Sequence, residues 1–198
     1  MKYLSSFLLA LTLLISTPFL RSQSSAKGIP SSPDVLPDKG SIEQGAYKNS
    51  SIGIELTPAD NLSLEQPEMR GRPGTVPLLI VVSAIEASPL SGLLSPRTVM
   101  IFDADALAYY PADQRNVARY VHKVIRANEA DGYQTVNPAM PAQISRISVV
   151  RVDFVKGKVH ESVLVTIHNA YAFVFIFAGS DFGVINKSIA STKVKLAP

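Results

Sequence analysis

Asp103-Ala104-Asp105 closes the apolar run Val99-Met100-Ile101-Phe102. Paired carboxylates can supply a nucleophile and a general acid. The expectation is a strand end whose acids face solvent or cap a turn. The chain has three histidines, His122, His160 and His168. Zinc wants three or four convergent ligands, but His160 and His168 are separated by about 26 Å of extended chain, and His122 falls on the polar side of a helix. No metal site is expected. Ser83, after the apolar run Leu78 to Val82, is the serine best placed to be a nucleophile. No base or orienting group is spaced to activate it, and the Gly-x-Ser-x-Gly elbow is absent. Gly71-Arg72-Pro73-Gly74 follows no strand and opens no helix, so it is no phosphate cradle. With no cysteine, thiol catalysis and thiolate metal sites are excluded. No cofactor is expected.

One cluster has more substance. Arg115, Arg119, His122 and Arg126 recur at helical spacing, with Lys123 adjacent. They lie opposite an apolar stripe of Val117, Tyr120, Val121 and Val124, so one face is nearly all basic. The ordinary role of such a face is solvation. Its functional role would be docking to an acidic protein or an anionic envelope component, where charge contributes steering and orientation.

These residues must be positioned by the surrounding elements. Ile52, Ile54 and Leu56 alternate with Gly53 and Glu55, the pattern of a strand with one apolar face, ended by Pro58. Residues 57–77 read as turns. Leu78 to Val82 and Thr98 to Phe102 read as buried strands. A helix is expected from Asp113, as its cap, to about Asn128. Val150, Val152 and Phe154 form one inward face, Lys156-Gly157-Lys158 a turn, and Val163, Val165 and Ile167 the next. Asn169-Ala170 is the following reversal. Tyr171 to Phe177 is apolar on both faces and therefore central. Asp181 opens a short helix, and Val194 to Leu196 closes with a strand. The expected class is α+β, an antiparallel sheet with helices packed on both faces.

Tyr47-x-Asn49, Gly53-Ile54 and Pro58, with the later Arg151-x-Asp153-Phe154 and Ser188-Ile189, resemble PsbP-like domains over roughly residues 45–196. The resemblance implies an α/β/α sandwich of the kind found in secreted bacterial proteins of unknown function. It departs at the tryptophan common after that proline, since this chain has none. The Asp-x-Asp pattern resembles phosphate-transfer enzymes of the haloacid dehalogenase type, which implies that one Asp attacks phosphorus while the other protonates the leaving group. It departs from them in three ways: Leu107 stands where they usually carry Thr or Val, acidic partner motifs are missing, and the strands do not repeat the strand-helix-strand unit of that fold.

Lys2, the apolar run Phe7 to Ile15 and the small residues Ser22 to Ala26 have the layout of a secretory leader over residues 1–26. The rival reading is an uncleaved membrane anchor over Tyr3 to Leu20, 18 residues without a charge, which Pro18 and the interspersed Ser and Thr weaken. Residues 27–45, with Pro30, Pro33 and Pro37, read as a flexible linker, and residues 46–198 as a single domain. Loss of Lys2 and Arg21 with the leader would nearly balance the 19 Lys and Arg against 16 Asp and Glu. That balance argues against a nucleic-acid partner. No later stretch is long and apolar enough to cross a bilayer. The expected protein is a secreted or periplasmic, non-enzymatic accessory or binding domain. The alternative is an extracytoplasmic hydrolase whose site the spacing does not reveal.

Overall fold

The computed structural model describes residues 38–70, 79–86 and 98–197. Strand accounts for 55% of them and helix for 21%. Short strands come first: β1 (Ser41–Glu43), β2 (Ala46–Asn49), β3 (Ile54–Thr57), β4 (Leu62–Leu64) and β5 (Glu68–Arg70). Two longer ones follow, β6 (Leu79–Glu86) and β7 (Val99–Ala106), and then helix α1 (Val117–Ala130). The C-terminal part runs β8 (Gln134–Ile144), β9 (Ile147–Lys156), β10 (Val159–His168), β11 (Tyr171–Gly179), α2 (Phe182–Ser191) and β12 (Lys193–Leu196).

Every strand pairing is antiparallel. The larger sheet has the order β4-β6-β7-β11-β10-β9-β8, with β5 also on β6, and the smaller is β1-β2-β3-β12. β11 sits in the middle of the larger sheet, and its two faces explain why it is apolar throughout. Phe173, Phe175 and Phe177 point into one core with Phe102, Tyr47, Leu56 and Ile185. Ala172 and Val174 point into the other, beneath Tyr120 and Val121 of α1.

This corrects the expected α+β class. Helices do not form a layer on both faces of one sheet. The phenylalanine face is covered by the smaller sheet, with α2 beside it, and the result is a β-rich sandwich. The cause is the N-terminal chain, where Tyr47, Ile54 and Leu56 supply a second apolar face. β12, emerging from α2, completes that sheet by pairing Val194 with Leu56.

Several local expectations also shift. β1 lies inside the stretch read as linker, and a Cβ on Gly40 would come within 2.6 Å of the Tyr47 ring, so the chain is already packed there. β4 and β5 lie in the segment read as turns. β8 escaped notice because Pro138 and Pro141 interrupt it and most of its residues are exposed. It survives as an edge strand, the place where a sheet tolerates proline. The helix cap is Asn116 and not Asp113, since the Asn116 side chain accepts from the Arg119 amide at 3.0 Å. Asp181 caps α2 as expected, accepting from the Val184 amide.

The residues that carry the PsbP-like resemblance have structural work. Asn49 donates to the Tyr47 hydroxyl and to the Asp38 carbonyl, and its own oxygen accepts from the Ser51 and Ile52 amides. Arg151 pairs with buried Asp153 at 2.7 Å and reaches Ser162 and Asn186 of α2. Ser162 donates to the same Asp153 oxygen at 2.6 Å.

Candidate functional site

β7 continues through the Asp-x-Asp pair instead of ending before it. Alternate residues of a strand share a face, so Asp103 and Asp105 point the same way, under α1. The expected solvent-facing strand end is therefore replaced by a covered acidic pair. Asp105 is buried, and its Oδ2 accepts from the hydroxyls of Tyr110 at 2.5 Å and Tyr120 at 2.8 Å. Lys123 Nζ completes the set at 3.4 Å. The Lys123 ammonium also lies 4.3 Å from the Tyr110 ring centre and 4.8 Å from that of Tyr120. Burial holds its pKa below the usual lysine range, against the pull of Asp105.

Beside this cluster a cleft of about 150 Å³ opens between α1 and the sheet. The α1 side is a single stripe, from Tyr120 and Lys123 at one end to Asn128 and Asp131 at the other. Val163, Val174 and Ile176 form the floor. Asp103 stands at the Lys123 end and Glu161 at the Asp131 end. Register fixes their separation. Asp103 is opposite Val174 on β11 and Glu161 opposite Ala178. Two strand spacings across and four residues along amount to about 16 Å between Cα atoms. The helix gives a matching length, since Lys123 to Asp131 is a rise of about 12 Å.

Three buried acceptors in this cleft have no partner among the described residues: Asp103 Oδ1, Asn128 Oδ1 and Glu161 Oε2. Asn128 is 6% exposed and Glu161 1%. Asp103 is half-buried as a residue, yet its Oδ1 is shut off from solvent. Burial, with Asp131 adding repulsion, pushes the Glu161 carboxyl up to about 7. Burial and then Asp105 push Asp103 up to about 7, with Arg70 opposing. Both acids thus sit near half-protonation at neutral pH. Protonation removes the charge but leaves the missing partner, and a buried unpaired polar atom costs about 1–3 kcal/mol.

The other residues singled out by sequence do not converge. Arg115 is spent on the chain itself, donating to the carbonyls of Tyr110 and Ala108. Lys123 turns towards Asp105. Arg119, His122 and Arg126 remain exposed on α1. His160 packs edge-on against Phe182 with ring centres 4.9 Å apart, and His168 sits at the opposite end of β10. No group of three His, Asp or Glu among the described residues could hold a metal ion. Ser83 lies within β6 opposite Ile101. Gly71 to Gly74 and the proposed leader lie outside the described residues.

Comparison with protein-family models, with curated proteins and with solved structures finds no match. The site therefore has to be read from its own geometry. Sequence reasoning passed over Glu161, Asn128 and Asp131. A signal for Glu161 was present, because it shares strand parity with Val163 and Val165, and a carboxylate on an apolar face is rarely buried unpaired. No helix among the described residues is long and apolar enough to cross a membrane.

Proposed function

We propose that the protein is an extracytoplasmic, non-enzymatic binding domain that holds a small hydrogen-bond-donating molecule in the cleft beneath α1. The observation that carries this reading is the chemistry of the unpaired atoms: Asp103 Oδ1, Asn128 Oδ1 and Glu161 Oε2 are all acceptors. A ligand bearing donors would satisfy them, and satisfied buried groups are the rule in folded proteins. The extracytoplasmic setting rests on the charged, apolar and small-residue order of residues 1–26. The exposed row Arg119, His122 and Arg126 offers a place for the domain to rest against a protein or an anionic envelope component.

The hydrolase reading has one observation in its favour, because carboxyl groups that keep a proton near pH 7 suit general acid catalysis. Spacing weighs against it. Paired-carboxylate hydrolysis places the two groups about 5–9.5 Å apart, whereas the backbones bearing Asp103 and Glu161 are separated by about 16 Å. Asp105 is near enough to Asp103, but its Oδ2 is taken by Tyr110, Tyr120 and Lys123.

A thermal-shift screen of the purified protein tests the binding reading. A ligand at a hundred times its dissociation constant adds about 2.7 kcal/mol of stability. The expected result is an upward shift with a small donor-bearing compound, reduced in Asn128→Ala. A flat response across amines, diols and amides would end this reading.

A further inference from the structure

The shape of the cleft says more than its unpaired acceptors alone. It carries a carboxyl group towards each end, and its middle is apolar: Val163, Val174 and Ile176 below, Val124 and Ala127 above. We infer that its ligand is a short linear α,ω-diamine, with one ammonium group on Asp103 and the other on Glu161. This rests on the binding reading above and narrows it to one chemical class.

Four observations combine. The unpaired acceptors lie at both ends of the cleft, with Asn128 Oδ1 available beside the Glu161 end. Each end carries a second acid, Asp105 beside Asp103 and Asp131 beside Glu161, as their mutual repulsion records. The middle offers only apolar surface to a methylene chain. Finally, the protein's own Lys123 ammonium sits at the Asp103 end against two tyrosine rings and Asp105. Alkylammonium chemistry already suits that end, where Asp103 Oδ1 is unpaired and the Arg70 charge acts on the same carboxyl.

Size agrees. Ordinary small-molecule pockets run from about 300 to 1,000 Å³, so a cavity of about 150 Å³ admits only a short chain. With Cα atoms about 16 Å apart on one sheet face, side chains that lean inward by up to a few ångströms and a hydrogen bond of about 2.8 Å at each end, the ligand nitrogens would stand about 6–10 Å apart. An extended chain of about four to seven carbons spans that gap. A divalent metal is a poor substitute, because the carboxyl groups are too far apart to converge on one ion.

The test is a titration of the purified protein, by calorimetry and thermal shift, with α,ω-diamines from two to ten carbons. Monoamines and α,ω-diols of equal length run beside them. The expected result is an affinity maximum between four and seven carbons, with the monoamine at least about tenfold weaker, as loss of one charge-assisted hydrogen bond implies. Glu161→Gln and Asp103→Asn should each weaken the best diamine by at least about tenfold and leave the monoamine less affected. Both variants remove a buried acid, so neither is expected to unfold the chain, and melting curves verify this. Equal shifts with monoamines, or no dependence on length, would overturn the two-ended site. Binding of diols without binding of diamines would overturn the ammonium class and leave the cleft as a binding site. Silence from all three series would overturn both readings.

Discussion

Replacing Glu161 by Gln should stabilise the protein, and by an amount that depends on pH. Glu161 is 1% exposed on the floor of the cleft, and its folded pKa is pushed from 4.5 up to about 7, chiefly by burial. Between those values the folded state holds a proton that the unfolded chain has released. Stability must then fall as pH rises through that window, because the folded state binds more protons. A tenfold difference in proton affinity is worth about 1.4 kcal/mol, so the full penalty approaches about 3 kcal/mol above pH 7 and vanishes below about pH 4.5. Glutamine has nearly the same shape and no titration. The difference between variant and wild type should therefore be near zero at pH 4 and grow to about 3 kcal/mol at pH 8, without ligand. Urea denaturation at five pH values measures it, and unchanged m-values would show that the same transition is compared. A difference independent of pH would refute the reasoning, since it would mean that the carboxyl ionises as it does in water.

Other consequences follow from single contacts. Tyr120→Phe removes a donor 2.8 Å from buried Asp105 and should cost about 1–3 kcal/mol in the same denaturation assay. Phe175→Ala empties the centre of the phenylalanine core, 5.2 Å from the Phe102 ring, and should cost about 3–5 kcal/mol in melting experiments. Arg151→Ala removes the guanidinium 2.7 Å from buried Asp153, leaving that carboxylate to Ser162 and Asn137, and should cost about 3–5 kcal/mol in the same denaturation assay. Ala170→Gly should stabilise by up to about 1 kcal/mol, because Ala170 sits at φ +63 in a two-residue reversal.

The strands with strict alternation were legible in the sequence, and the reason is burial on defined faces. β11 read correctly as a central strand because both Phe173-Phe175-Phe177 and Ala172-Val174 are apolar, and both sides are covered. Asp181 announced α2 because a capping side chain acts within one turn. The second sheet was legible only in part. β3 and β12 read as strands, but β1 and β2 have three and four residues, too short for a period to register, and the pairing of β3 with a strand from the far end of the chain leaves no local signal. Parity could have corrected the reading of Asp103 and Asp105, had the strand been carried past Phe102. The cleft itself is a different matter. Its two ends belong to β7 and β10, and only the insertion of β11 between them sets their distance. No local pattern contains that information.

The edge strand β8 has a consequence for how the protein behaves in company. A flat sheet margin ten or so residues long is an open template, and its unpaired amides invite another chain to continue the sheet. β8 carries the exposed apolar side chains Val136 and Met140, which would favour such growth. Pro138 and Pro141 deprive the margin of two amide donors, and the register slips between Thr135 and Met140 bend it out of line. A visiting strand would find hydrogen-bond partners missing at the positions where it needs them. The same prolines that hid β8 from a reading of the sequence thus act as its guard against fibrillar self-assembly, and replacing both with threonine should turn a well-behaved protein into one that clouds on standing.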